Sequence, residues 1–253
     1  DSSSSGLAAG LAPFVSVASS HGLPFRLTEI NSASCQGTKG VSDTFASALW
    51  ALNTMFNMAS VGVDGVNFHM LPGSRYELFT VSHAQNGTWQ AFVHPEYYGL
   101  LMFAQAFPPG ARLLDVTAPG GPVKVWATQG TDGTLRVTLI NQDPDAEHDV
   151  SLKLAGASGT GSLETLAAPS LAATSGVTLG AQTFGDETTT GKLSGGSSTT
   201  PVAPVSGTYT VPVPAGSAAL LTIAGSSTPP PVGGGGGVPP PVGGGGGVPP
   251  TNG

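Results

Sequence analysis

Apolar residues at Phe45, Leu49, Leu52, Phe56 and Ala59 recur at spacings of 4, 3, 4 and 3. That period belongs to one face of a helix, and it predicts a helix over 41–60. Ser42 is a natural N-cap, Asp43 suits the positive end of the helix dipole, and Gly62 is a stop signal. The flanking runs are extended in character. Pro24–Ile30 carries Phe25, Leu27 and Thr28 and leads into Asn31-Ser32, while Val63–His69 is a short run with apolar Val63, Val66 and Phe68. Strand, helix, strand in this order predicts a βαβ unit, with two parallel strands joined by a crossover helix. Upstream, Asp1–Gly10 is small and polar and reads as flexible, and structure is expected to begin with a further run at Pro13–Ser19.

Two more extended runs, YELFTV and TWQAFV, flank Asn86-Gly87, a strong hairpin signal. Asn86-Gly87-Thr88 also matches a glycosylation sequon, but the turn reading is preferred. Pro95 opens a second helix, PEYYGLLMFAQAF, with Pro at N1 and Glu96 in its first turn, and Pro108-Pro109-Gly110 ends it. From Leu113 the pattern changes to short β-rich runs without helices: VKVWAT, TLRVTLIN, DVSLKL, SLETLAA, VTLGAQTF, GTYTVPVP and SAALLTIA. That pattern predicts an antiparallel sandwich or barrel.

Composition narrows the picture. Charged residues make up 9% of the 253, with 8 basic, 15 acidic and a formal net charge of −7. So few and scattered basic side chains cannot form a stripe against phosphates, so no nucleic-acid partner is expected. No run of 18 apolar residues is present, so no membrane span is expected. Cys35 is the single cysteine, which excludes an internal disulfide framework. His21, His83, His94 and His148 show no metal-ligand spacing, so neither a metal nor a cofactor is implied. The decapeptide PPPVGGGGGV occurs at 229–238 and again at 239–248. Such a segment cannot bury enough apolar surface to offset its ordering entropy, and residues 226–253 read as a disordered linker. The chain starts at Asp1 and shows no signal-peptide pattern, which reads as a processed or truncated product.

The run LTEINSASCQGTKGVSDTFASALWALNTMFNMASVGVDGVNF resembles the C-terminal part of the catalytic barrel of glycoside hydrolase family 79, which includes β-glucuronidases and heparanase-type enzymes. VHPEYYGLLMFAQAF is similar to the same family, and VPAGSAALLTI resembles the last strand of its β domain. The resemblance spans residues 13–224. It is specific at Glu29–Phe68 and Val93–Phe107 and loose in the β region. It implies the end of a (β/α)8 barrel, with Pro24–Ile30 as strand seven and Val63–His69 as strand eight, followed by an antiparallel β-sandwich. The expected division is a flexible start at 1–12, barrel portion at 13–112, β-sandwich at 113–225 and linker at 226–253.

The resemblance places the nucleophile of a retaining glycosidase at Glu29, at the C-terminal end of a strand, where barrel enzymes put their chemistry. Such a mechanism needs a second carboxyl as acid/base. The family carries it as Glu after Asn on strand four, which lies outside these residues. Glu77, Glu96, Glu147, Glu164 and Glu187 are no convincing substitutes. Asn31 and Ser32 are placed to position Glu29 or sugar hydroxyls. The loop 34–40 offers backbone N–H groups around Gly37, and the Lys39 ammonium, to a uronate carboxylate. His69 falls on the rim beside the substrate. Tyr97 and Tyr98 read as packing residues, and Cys35 as inert.

These readings converge on the C-terminal fragment of a secreted retaining glycosidase acting on β-glucuronosides or related uronic-acid glycosides. It would carry the nucleophile, lack the acid/base and be inactive alone. Its partners would be a carbohydrate substrate and the missing N-terminal barrel portion. The alternative is a non-catalytic carbohydrate-binding or structural β module tethered by the Pro/Gly linker.

Overall fold

The computed structural model describes residues 3–117 and 121–225. The linker expected at 226–253 lies outside the described residues. Among these residues no helix is long and apolar enough to cross a membrane.

The chain begins with a helix, α1 (Ser5–Ser20), where a flexible start at 1–12 and a run at Pro13–Ser19 were expected. Tertiary packing explains the difference. Ala8, Leu11 and Val15 lie on one helical face, and Ala8 and Val15 are buried. Ala8 and Leu11 share a cluster with Met58, Trp50 and Val61 of the following segment. That packing outweighs the loss of the N–H at Pro13, which sits inside the helix. The opposite face leaves Phe14 and Val17 exposed.

The predicted βαβ unit forms. Strand β1 (Arg26–Ile30) pairs parallel with β2 (Gly65–Phe68), and α2 (Phe45–Ser60) crosses between them. Helix α2 ends at Gly62 as expected, in a Schellman pattern: the Val63 N–H donates to Met58 O and the Gly62 N–H to Ala59 O. Its start differs from the sequence reading. Ser42 and Asp43 lie before the helix and serve the preceding loop, accepting from the N–H groups of Thr38 and Gly40. The first helical amides, Phe45 and Ala46, instead donate to the carbonyls of Ala173 and Leu171, at 2.8 and 2.9 Å. The helix is thus capped from the far β region.

After β2 comes a hairpin of β3 (Phe79–His83) and β4 (Trp89–Val93), then α3 (Pro95–Ala106) with Pro95 in its first turn. The remaining strands are β5 (Arg112–Leu114), β6 (Val123–Gln129), β7 (Leu135–Asn141), β8 (His148–Lys153), β9 (Gly161–Ala167), β10 (Thr178–Leu179), β11 (Thr200–Val202), β12 (Thr208–Val213) and β13 (Ser217–Ile223). A seven-stranded antiparallel sheet runs β10-β9-β13-β7-β6-β5, with β11 also on β9, and β8 pairs separately with β12. The run VTLGAQTF yields only the two residues of β10, because Gly180 and Ala181 adopt positive φ and turn the chain.

The central strands alternate between two cores. Leu139, Ala219, Leu221 and Ile223 face β8 and β12, packing with Leu152, Tyr209, Val211 and Val213. Ile140, Leu166, Ala218 and Leu220 face the helices, packing with Phe45, Leu49, Phe56 and Met102. Phe56 stacks on Trp126 with centroids 5.4 Å apart and planes 7° apart. The Trp126 indole N–H donates to Asn53 Oδ1 at 3.1 Å, and Asn53 Nδ2 donates to Ser4 Oγ at 2.9 Å. This buried chain of bonds ties β6, α2 and the start of α1 together.

Helices α2 and α3 approach most closely at Gly99, where an added Cβ would overlap the Ala48 carbonyl. Gly99→Ala is expected to cost roughly 1–3 kcal/mol by overpacking. Gly10→Ala, on α1 with nothing within 4 Å of its added Cβ, should instead stabilise by about 0.5–1 kcal/mol. Urea unfolding midpoints of the two variants check the contrast.

Glu96, in the first turn of α3, is 1% exposed, and neither carboxyl oxygen has a hydrogen-bond partner among the described residues. Burial pushes its carboxyl up from the ordinary 4.5 to about 8. The native state therefore holds this proton where the unfolded chain releases it. Stability should be greatest below about pH 4.5 as far as this group is concerned, and should fall as pH rises through about 8. Glu96→Gln should flatten that slope and gain on the order of a few kcal/mol at the alkaline end, read from unfolding midpoints between pH 5 and 9.

Candidate functional site

Glu29 lies near the C-terminal end of β1, and its aim depends on an irregularity in pairing. Leu27 faces Val66 and Ile30 faces Phe68, three steps on β1 against two on β2. The extra residue makes a β-bulge at Thr28-Glu29. In a regular strand Glu29 would share the face of Leu27, which packs towards α1 and α2. The bulge gives the next inward position to Ile30, which is 7% exposed, and leaves Glu29 open to solvent.

The carboxylate meets the imidazole at the end of β2. His69 Nδ1 stands 3.9 Å from Glu29 Oε1, with the two side chains 39% and 69% exposed. This is an ion pair only when the ring is protonated, and solvent screens it. The His69 N–H donates to Ile30 O at 2.9 Å, and its ring meets Tyr76 edge-on at 5.7 Å. Asn31 acts as a clasp between the strand ends. Its Nδ2 donates to His69 O at 2.7 Å and reaches Tyr76 O at 3.5 Å, while its Oδ1 accepts from the Ser32 N–H at 2.6 Å and the Ser32 hydroxyl at 3.2 Å. Glu29, Asn31, Ser32 and His69 are therefore brought together.

The loop 34–40, expected to offer an anion cradle, turns sharply at three successive residues. Cys35, Gln36 and Gly37 have φ of 54°, 71° and 79°. A Cβ at Gly37 would press on Arg75 and Ser42 at 3.0 Å, and Gln36 O accepts from the Arg75 N–H. The loop is thus fixed against the segment after β2. Three of its amides are engaged: Gly37 donates to Ser34 O, Thr38 to Ser42 Oγ and Gly40 to Asp43 Oδ1. The Gly37 N–H itself is thus used inside the loop, and the Lys39 side chain is exposed beside it.

Near the base of the hairpin, Thr80 Oγ1 lies 2.7 Å from His94 Nε2 and 3.1 Å from Glu77 Oε2. Burial lowers the His94 pKa, opposed by the nearby Glu77 and Asp43 carboxylates. Tyr97 and Tyr98 pack as expected. Tyr97 meets Phe79 at 4.6 Å, and the buried Tyr98 accepts from the Phe184 N–H through its hydroxyl. Neither the bulge nor the clasp has a local sequence signal, since both exist only across two strands distant in the chain.

Comparison with known proteins gives a consistent picture. The family model described as glycosyl hydrolase family 79 C-terminal beta domain matches residues 125–220. That is the region where the resemblance of individual runs was loosest. A β-glucuronidase of Aspergillus niger is 26% identical over 122 residues, covering 47% of this chain and 22% of that protein. The 4-O-α-L-rhamnosyl-β-D-glucuronidase of Fusarium oxysporum superimposes with a TM-score of 0.69 at 24% identity, over 87% of this chain and 48% of that one. An α-L-arabinofuranosidase of family 51 from Thermotoga petrophila gives 0.59 at 10% identity, over 85% and 47%. The structural likenesses speak for the fold, a partial barrel joined to a β domain, and the chain spans less than half the length of the relatives it matches. Family model, curated relative and structural likeness agree in their similarity to glycoside hydrolase family 79.

Proposed function

We propose that this chain is the C-terminal part of a secreted, retaining glycoside hydrolase acting on β-glucuronosides or related uronic-acid glycosides, with Glu29 as its nucleophile. The observation that carries the reading is the bulge-directed, open position of Glu29 at the C-terminal end of a strand in a βαβ unit, beside His69. In this reading β1 and β2 are the last two strands of a (β/α)8 barrel, and α2 and α3 are the helices that follow them. Two strands cannot close a barrel, so the remaining strands come from a part of the protein outside this chain.

Glu29 would attack the anomeric carbon and form a glycosyl ester. A second carboxyl roughly 5–5.5 Å away would protonate the leaving oxygen and later deprotonate water. Among the described residues no such group stands beside Glu29. Glu77 and Glu96 are buried, and Glu147, Glu164 and Glu187 lie in the β region. The acid/base belongs to the absent strands, and the chain alone would not turn over. Asn31 would hold the strand ends so that Glu29 and His69 face the same sugar, with His69 and Ser32 near its hydroxyls. Lys39 would take the uronate carboxylate.

A non-catalytic module is the second reading, favoured by the extent of the family match. Residues 125–220 include most of the sheet and its β8–β12 cover, but not Glu29.

In the protein carrying the complete barrel, Glu29→Gln should lower turnover of an aryl β-glucuronide by at least about a thousandfold while leaving the circular-dichroism spectrum unchanged. Activity within tenfold of wild type would refute the nucleophile assignment. Asn31→Ala should lower kcat with little change in KM, and the loss of its clasp should cost about 1–3 kcal/mol of stability. A changed KM at constant kcat would place Asn31 on the substrate instead of on the strand ends.

A further inference from the structure

The hairpin β3–β4 lies in the connection between β2 and α3, and it carries an exposed aromatic pair at its tip. Register places Phe79 opposite Val93, Val81 opposite Ala91 and His83 opposite Trp89, so these six side chains share one face. The face changes character along its length. Val93 is buried and Phe79 packs into the main core, whereas Val81 is 59% exposed and Trp89 66% exposed. Phe79 to His83 spans about 14 Å, so the tip stands well away from the core. There the His83 ring meets the Trp89 indole edge-on at 4.8 Å and holds the indole's orientation.

The display is rigid. Ala91 exchanges two backbone hydrogen bonds with Thr188 of the β region, at 2.9 and 2.8 Å, which tethers the edge of β4. Thr80 bonds to His94 and Glu77 at the base, and Phe79 packs on Tyr97. The turn is closed by the Ala84 N–H donating to Thr88 O, and by the Thr88 N–H donating to Asn86 Oδ1. The Trp89 indole is two-thirds exposed on this fixed element, so most of its apolar face is open to solvent.

We propose that Trp89, oriented by His83, is a stacking platform for a neutral pyranose unit of a polysaccharide, holding the glycan at a distance from Glu29. The C–H face of a pyranose is apolar and meets the electron-rich face of an indole, while its hydroxyls stay in water. The ring is neutral because the sequence has no lysine or arginine between Arg75 and Arg112, so the hairpin carries no permanent cation to neutralise a uronate. The placement of the platform on the substrate side rests on the reading of β2 as a barrel strand, since connections that leave the C-terminal ends of such strands frame the active site.

The test is native affinity electrophoresis of this full chain in gels containing arabinogalactan, xyloglucan or hydroxyethylcellulose. At least one polymer should retard it. Trp89→Ala should weaken that retardation by at least about tenfold, Trp89→Phe should fall between, and Glu29→Gln should match wild type. An unchanged circular-dichroism spectrum for Trp89→Ala shows that the fold persists. Retardation by none of the three polymers, or retardation that survives Trp89→Ala, overturns the proposal. So does shielding of Trp89 from acrylamide quenching in the protein with the complete barrel, which would mean that protein covers it. Loss of the Glu29 assignment would leave the Trp89 result standing, so the two readings fail separately.

Discussion

The central sheet has apolar side chains on both faces, and this requirement for two covers organises the molecule. Along β13, Ala219, Leu221 and Ile223 point one way and Ala218 and Leu220 the other. One face is closed by β8 and β12, and the other by α2 and α3. The helices of the βαβ unit are therefore not merely adjacent to the β region; they form half of its core. The stack of Phe56 on Trp126 lies at this seam, with Asn53 satisfying the indole N–H beside it. The same contact fixes α2 at its other end. Its first amides find their acceptors at Leu171 and Ala173, and partial negative charge at a helix N-terminus is electrostatically favourable.

From that anchoring follows the position of β1 and β2. They lie on the side of α2 away from the sheet, held by Ile30, Leu27, Val66 and Phe68 against Met58, Trp50 and α1. One surface of α2 serves the β region and another serves the strands that carry Glu29 and His69. The placement of the candidate site is thus inherited from packing more than twenty residues away in sequence. Gly99 shows how little slack remains, since one methyl group there would push the two helices apart.

What could be read from the sequence follows this division. The period of Phe45 to Ala59, the stop at Gly62, the Pro95 helix start and the alternating β runs are local signals, and each produced its element. The start of α2 was misplaced at Ser42 because a good capping residue lay there, while the real acceptors are carbonyls more than 120 residues downstream. Helix α1 was missed because its core face is made of Ala8, Leu11 and Val15 among small residues, with a proline in the middle. Neither failure concerns propensity alone; in both, tertiary contacts decided the outcome. The same holds for the site. The resemblance pointed to Glu29, but the bulge that exposes it, and the clasp by which Asn31 joins the strand ends, exist only once residues 26–31 and 65–76 are side by side.

Two glutamates illustrate why geometry must be weighed before titration in choosing functional groups. Glu96 has the displaced pKa, pushed up to about 8 by burial, and such displacement is a common mark of active sites. Yet its carboxyl is closed to solvent and touches no polar partner among the described residues, so no sugar could reach it without the start of α3 opening. Its energetic consequence falls on folding, through the proton it retains. Glu29 has the opposite character: open, at a strand end, redirected by an extra residue, and next to an imidazole held by three strand-end contacts. A nucleophile must first be within reach of the anomeric carbon, and its ionisation is then set by what surrounds the sugar once bound. On the proposed reading the strands that would close a barrel around Glu29 lie outside this chain, so position is the property of the site that this chain can express by itself.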